Sequence, residues 1–176
     1  MSEPFMNRVK LPFLAFLASS LLLTLATPAL ALPEDRNQVI RGTADTLVVD
    51  QKIGESTYSG SVRIEQGSLV ITADIIKVRT RPDGSPDKIV ATGSPARFQQ
   101  QPSLDQKVIV ATAKSITYTP DNEHLLLVEE AAIEQDGQVM KAPHINYDLI
   151  NEVMKAKQID GARVDIYIPP KTEAKH

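Results

Sequence analysis

An all-β fold is predicted for this 176-residue chain by three observations. From Val39 onward, apolar residues alternate with polar ones in segment after segment, the spacing that puts one set of side chains on a single face of extended chain. No stretch carries the i, i+3, i+4, i+7 spacing of an amphipathic helix. A short unit, Ala-x-x-(Ile/Leu)-x-(Val/Tyr), recurs at Ala44, Ala73, Ala113 and Ala142, and both 44 to 113 and 73 to 142 are 69 residues apart. On the same offset Ile64-Glu65-Gln66 returns as Ile133-Glu134-Gln135. β units that repeat at a fixed period usually stack side by side, each covering its neighbour's apolar face.

In chain order, the first segment is a leader. Arg8 and Lys10 precede an apolar run from Leu11 to Leu25 and then Ala29-Leu30-Ala31, which reads as a secretory signal peptide, residues 1–31, cleaved after Ala31. The run is short of the roughly 20 apolar residues a membrane span needs and contains Pro12 and Ser19-Ser20. Met1 and Met6 are both compatible starts. Removing 31 of 176 residues leaves 145, one ordinary domain able to bury a core. That removal takes two of 19 basic and one of 22 acidic residues, so the net charge moves from −3 to −4. No basic field for nucleic acid exists. The chain has no cysteine, so packing and strand pairing alone must hold the fold, and thiol catalysis and cysteine metal sites are excluded.

The central pattern is Gly60–Val78, GSVRIEQGSLVITADIIKV. A hairpin with Gln66-Gly67 as its loop, Gly67 taking the positive φ of a primed turn, sets Ile64 opposite Leu69 and Val62 opposite Ile71. After Ala73 the alternation slips by one residue to Ile76 and Val78, which implies a bulge or bend. Asp74 suits such a corner, where its carboxylate can accept a backbone N–H; a solvated surface aspartate fits equally well. Loops are expected at residues 81–87 and 99–103, where Pro, Gly and polar residues cluster, and a hairpin turn at Pro120-Asp121-Asn122-Glu123. Asp136-Gly137 closes the second-half hairpin, setting Ile133 against Met140 and Ala131 against Ala142, although a register shifted by one pair also satisfies the alternation. Residues 169–176 have little to bury and read as a disordered tail.

Catalytic and metal constellations are not found. His124, His144 and His176 share no ligand spacing. No G-x-S-x-G, Walker or dinucleotide fingerprint occurs, and no cofactor is expected. The informative feature is the apolar face, which by pattern alone is either a closed sandwich core or a trough.

Several stretches carry a resemblance. Asp35-Arg36-Asn37-Gln38-Val39-Ile40 ahead of Ala44-Asp45, the run Tyr58 to Gly67 with Ala73-Asp74, and Gly93-Ser94-Pro95-Ala96-Arg97-Phe98 resemble the LptA family of periplasmic lipopolysaccharide-export bridge proteins, the OstA-like organic-solvent-tolerance family. The likeness covers residues 35–168. It implies an open, twisted β-jelly roll over residues 32–168, made of two V-shaped antiparallel sheets built from repeated hairpin units. It also implies a non-enzymatic periplasmic protein that holds the acyl chains of lipid A in a trough between the sheets, bridges the inner and outer membranes, and carries lipopolysaccharide to the outer membrane. On that resemblance the lipid-binding residues are Ile40, Leu47, Val49, Val62, Ile64, Leu69, Ile71, Ile76, Phe98, Ile116, Tyr118, Ile133, Met140, Ile145 and Tyr147. The implied partners are lipopolysaccharide, the homologous jelly-roll domains of inner-membrane LptC-like and outer-membrane LptD-like components, and further copies head to tail. Glu129-Glu130 in place of Gly60-Ser61, and Lys114 and Pro143 in place of the corner Asp, depart from the first-half pattern. The competing readings are an inner-membrane-anchored sister component, against which the Ala29-Leu30-Ala31 signal argues, and a periplasmic glycan-binding or hydrolytic β domain, of which the absence of Trp weakens the glycan-binding form.

Overall fold

The structure, a computed structural model, describes residues 35–170 except Leu104, Asp105 and Asp160. The leader at 1–31 and the tail beyond Pro170 lie outside the described residues. Ten strands follow in order: β1 (Arg41–Thr43), β2 (Thr46–Asp50), β3 (Glu55–Gln66), β4 (Leu69–Thr80), β5 (Pro86–Gln100), β6 (Ile109–Thr119), β7 (His124–Gln135), β8 (Gln138–Asp148), β9 (Val153–Lys157) and β10 (Asp165–Tyr167). All pairings are antiparallel, and β3 to β8 form a meander. Each long end strand is covered by two short ones, β1 and β2 on β3 and β9 and β10 on β8.

The parity slip read at Ala73 is a sheet-wide event. Register shifts fall between Ser59 and Val62, Thr72 and Ile75, Thr92 and Ala96, Thr112 and Ser115, and Val128 and Ala131, aligned across successive ladders, with a further shift between Arg79 and Thr80 at the far end of the β4–β5 ladder. Bulges bend strands and sharpen twist, so a line of them forms a crease dividing the sheet into two halves. Three of the four repeated Ala units mark it: Ala73, Ala113 and Ala142 are buried beside it together with Ala96 and Ala131, whereas Ala44 is partly buried. Gly60 (φ 83°) and Ser61 (φ 44°) turn β3 at the crease, and Glu129 (φ 64°) and Glu130 (φ 52°) turn β7 in the same way. The substitution at 129–130 therefore keeps the left-handed geometry of 60–61, with Lys114 Nζ 2.8 Å from Glu130 Oε1.

The described residues contain no helical layer to cover the apolar face, so the sheet must cover itself. Phe98, beyond the crease on β5, meets Tyr118 of the opposite half with ring centroids 5.2 Å apart. Tyr147 Oη donates across the same gap to Gln135 Oε1 at 3.3 Å. The core is the space between the halves.

Two expectations are corrected. Gln66 pairs with Leu69, Ile64 with Ile71 and Val62 with Ala73, so the first loop is Gly67-Ser68 rather than Gln66-Gly67. Asp35 selects that turn: its carboxylate accepts Ser68 N–H at 2.7 Å and Ser68 Oγ–H at 2.5 Å. The loops at 81–87 and 99–103 are shorter than read, since β5 already begins at Pro86 and continues to Gln100. Gly67 is left-handed as expected, with φ 60°. The second hairpin has Ile133 opposite Met140 and Ala131 opposite Ala142 around Asp136-Gly137, and residues 120–123 turn β6 into β7. Asp74 is exposed, and the corner is shaped by backbone bulges.

Candidate functional site: the interior between the sheet halves

Strand register lines the interior in rows that run from one sheet edge to the other. In the half holding the β3–β4 turn, Gly42, Ile64, Ile71, Phe98, Ala111, Ile133, Met140 and Ile166 are consecutive cross-strand neighbours. In the other half one row is Leu47, Tyr58, Ile76, Ala91, Ile116, Leu127, Ile145 and Ala156. A parallel row is Val49, Ser56, Val78, Ile89, Tyr118, Leu125, Tyr147 and Met154. These side chains share a face because each antiparallel partner sits directly opposite and side-chain period is two.

Of the residues named from sequence, Val62, Ile64, Leu69, Ile71, Ile76, Phe98, Ile116, Tyr118, Ile133, Ile145 and Tyr147 are buried between the halves, and Met140 is partly buried against them. Ile40, Leu47 and Val49 are instead exposed. Leu47 and Val49 continue the interior rows, but β2 is an edge strand and nothing covers them. Ile40 lies at a cavity mouth. Ile89, Ala91, Ile109, Ala111, Leu125, Leu127 and Leu149 belong equally to the interior and were missed. Most sit in unbroken apolar runs (89–91, 108–111, 125–128) where alternation gives no parity; cross-strand pairing with a neighbour of known parity identifies them.

The interior is packed at mid-length and open at its ends. Phe98, Ile71, Ile116, Leu127 and Ile133 are fully buried, each worth about 1.5–3 kcal/mol of transfer free energy. At the β1/β2 edge a cavity of about 200 Å³ opens between Ile40, Ile64 and Leu69 on one side and Tyr58, Val78 and Ile89 on the other. At the β9/β10 edge a cavity of about 280 Å³ is lined by Ile133, Met140 and Ile166 opposite Met154, with Lys107 at its rim. Each cavity adjoins the buried apolar rows at one end of the interior. Burial, and secondarily the Glu152 carboxylate, raises the Tyr147 phenol above its ordinary pKa, so the group that ties the halves together stays a neutral donor.

Ion pairs stay outside this space. Arg81 reaches Asp87 at 3.0 Å and Asp121 at 2.5 Å, tying the β4–β5 loop to the β6–β7 turn. Among the described residues no cluster of three His, Asp or Glu could hold a metal ion. The arrangement can enclose hydrocarbon.

The sheet edges differ from the rest of the surface. Among the described residues every large exposed apolar side chain except Ile75 and Val108 lies in or beside the edge strands. Val39, Ile40, Leu47, Val48, Val49 and Ile53 gather at one end, and Ile150, Val153, Ile159, Val164, Ile166, Tyr167 and Ile168 at the other.

Comparison with known proteins bears on this geometry. Residues 43–153 match the family LptD_N, described as LptA/(LptD N-terminal domain) LPS transport protein. The chain is 31% identical over 153 residues to the lipopolysaccharide export system protein LptH of Pseudomonas aeruginosa, spanning 83% of this chain and 87% of that protein. It is 32% identical to LptA of Haemophilus influenzae, over 88% of this chain and 90% of that one, and 31% identical to LptA of Escherichia coli K12, over 92% and 86%. The crystal structure of LptH, the LptA-homologous periplasmic component of the lipopolysaccharide transport device of P. aeruginosa, superposes with a TM-score of 0.72 at 29% identity, covering 78% of this chain and all of that one. The creased, open antiparallel sheet is thus the β-jelly roll of that relative, and the chain belongs to the LptA/LptD N-terminal domain family of LPS transport proteins, which are transport components and not enzymes.

Proposed function

We propose that this protein carries lipopolysaccharide across the periplasm by holding lipid A acyl chains between the two sheet halves, in a bridge assembled edge to edge. The single observation that carries the reading is continuity: the cross-strand rows, apolar but for Gly42 and Ser56, run from one edge strand to the other, reach a cavity at each end, and give way to exposed apolar side chains at both edges. Each buried CH₂ is worth about 0.8 kcal/mol, so several acyl chains crossing water unaided meet a prohibitive barrier that a continuous apolar path removes.

Unpaired edge strands are templates for strand addition. Joining the β1/β2 edge of one copy to the β9/β10 edge of the next is heterologous and does not close, giving filaments of variable length. Homologous jelly-roll domains of inner- and outer-membrane components, LptC-like and LptD-like, would cap the two ends by the same pairing. The leader supports export, with Leu32 as the mature N-terminus.

Photo-crosslinking amino acids at Ile40, Tyr118 and Met140 should capture lipid A, whereas those at the exposed outer positions Arg63 and Lys77 should not; equal labelling at both sets refutes the interior path. Truncation from Ala162, which deletes β10, should abolish concentration-dependent oligomers in analytical ultracentrifugation while crosslinking at Ile40 persists. An unchanged oligomer ladder refutes edge-to-edge assembly.

A further inference from the structure

The interior is not apolar throughout. In the half holding the β3–β4 turn, the inward row farthest from the crease pairs Gln66 with Leu69, Gln100 with Ile109, Ile109 with Gln135, and Gln135 with Gln138. Four carboxamides thus lie along one rim, from the cavity at the β1/β2 edge, which Gln66 lines, to the cavity at the β9/β10 edge, which Gln135 and Gln138 line. Gln66 Nε2 donates to Gln38 O, and Gln135 Oε1 accepts from Tyr147. Gln100 is different: only 6% exposed, it is, the tyrosines apart, the one buried polar residue among the described residues, and its Oε1 meets no hydrogen-bond donor. Leaving a carboxamide oxygen buried and unpaired is costly, and a Leu or Met would fill the same space without that cost.

We infer that this amide row is a polar subsite for the oxygenated part of a hydroxylated acyl chain, with Gln100 Oε1 accepting from the chain's hydroxyl or amide N–H. The inference rests on the acyl-carrying reading above and deepens it. The placement fits an amphiphile. The row lies at the margin of the interior farthest from the crease and reaches the cavity at each sheet edge, so the first carbons of an entering chain, bearing ester, amide and hydroxyl groups, would pass it. A carboxamide both donates and accepts, so the row can serve carbonyls as well as hydroxyls. A site with an unpaired buried acceptor discriminates against a ligand that lacks the matching donor.

The test measures competition of 3-hydroxytetradecanoate and of tetradecanoate against a fluorescent fatty-acid probe, in the delipidated protein and in Gln100→Met, Gln138→Met and the outward-facing control Gln99→Met. The wild type and Gln99→Met should prefer the hydroxylated chain by about five-fold, the size of one net hydrogen bond. Gln100→Met should bind both chains equally, with tetradecanoate affinity maintained or improved. If Gln100→Met does not fold, Gln138→Met, at the exposed end of the row, must itself show a reduced preference. A preference that survives in the folded row variants, or equal binding of the two chains by the wild type, overturns the inference while leaving acyl carriage standing. Binding of neither chain by the wild type refutes the carriage reading and this inference with it.

Discussion

Replacing Phe98 with alanine tests whether the two halves of the sheet are packed on one another at mid-length. Phe98 is fully buried, its cross-strand neighbours are Ile71 and Ala111, and its ring meets Tyr118 of the opposite half at 5.2 Å. Core Phe→Ala changes cost about 3–5 kcal/mol, more where the surroundings cannot collapse into the space. Here β4 and β6 hold β5 on both sides through their ladders, so relaxation is limited and a loss of about 4 kcal/mol is expected. Against a total stability of about 5–15 kcal/mol that is a large fraction. The assay is urea unfolding of the delipidated protein, in which the midpoint should fall at unchanged m. A double-mutant cycle with Tyr118→Leu should return a coupling of about 1 kcal/mol for the ring pair. A loss below about 1 kcal/mol with no coupling would mean that the halves stand apart in solution, and the packed midsection described here would be wrong.

Two further outcomes follow from the crease and from the link between the halves. Gly60 has φ 83°, and a Cβ there would collide with the Asp45 carboxylate, so Gly60→Ala should destabilise by about 1–3 kcal/mol in urea titration, with Asp45→Ala in the same chain recovering only part, because the φ penalty remains. Tyr147→Phe removes the hydrogen bond to Gln135 and should cost about 1 kcal/mol at neutral pH. Burial, then Glu152, raises the Tyr147 pKa above 10.0 in the folded state, so the folded protein holds that proton more tightly than the unfolded chain does. Its contribution is complete below pH 10.0 and is lost as pH rises through the folded value; urea midpoints measured across that window should fall less steeply in Tyr147→Phe, and identical slopes in the two proteins refute the assignment.

The local rules of extended chain were legible in the sequence. Alternation placed Val62, Ile64, Leu69, Ile71 and Ala73 on one face, the slip between Ala73 and Ile76 announced a bend, Asp136-Gly137 announced a hairpin with the observed register as one of the two the alternation allowed, and three of the four repeated Ala units, Ala73, Ala113 and Ala142, lie in the row of small residues at the crease. Each of these depends on residues a few positions apart. Tertiary structure decided what depends on distant ones. Asp35, by taking Ser68 N–H and Oγ–H, moved the first turn from Gln66-Gly67 to Gly67-Ser68; the shift of two residues preserved every face, so parity could not detect it. Leu47 and Val49 carry the same alternation as the core yet are exposed, because burial requires a neighbouring strand or an opposite half and β2 has nothing beyond it. The runs at 89–91, 108–111 and 125–128 acquired an inside and an outside only through pairing with neighbours of known parity. Whether the apolar face is a dry core or a trough was beyond any pattern, since both need the same residues: the fold packs Phe98 on Tyr118 at mid-length and leaves cavities at the two edges. Gln100 reads in sequence as part of a polar loop at 99–103; only the closure of one sheet half over the other buries its amide oxygen without a donor.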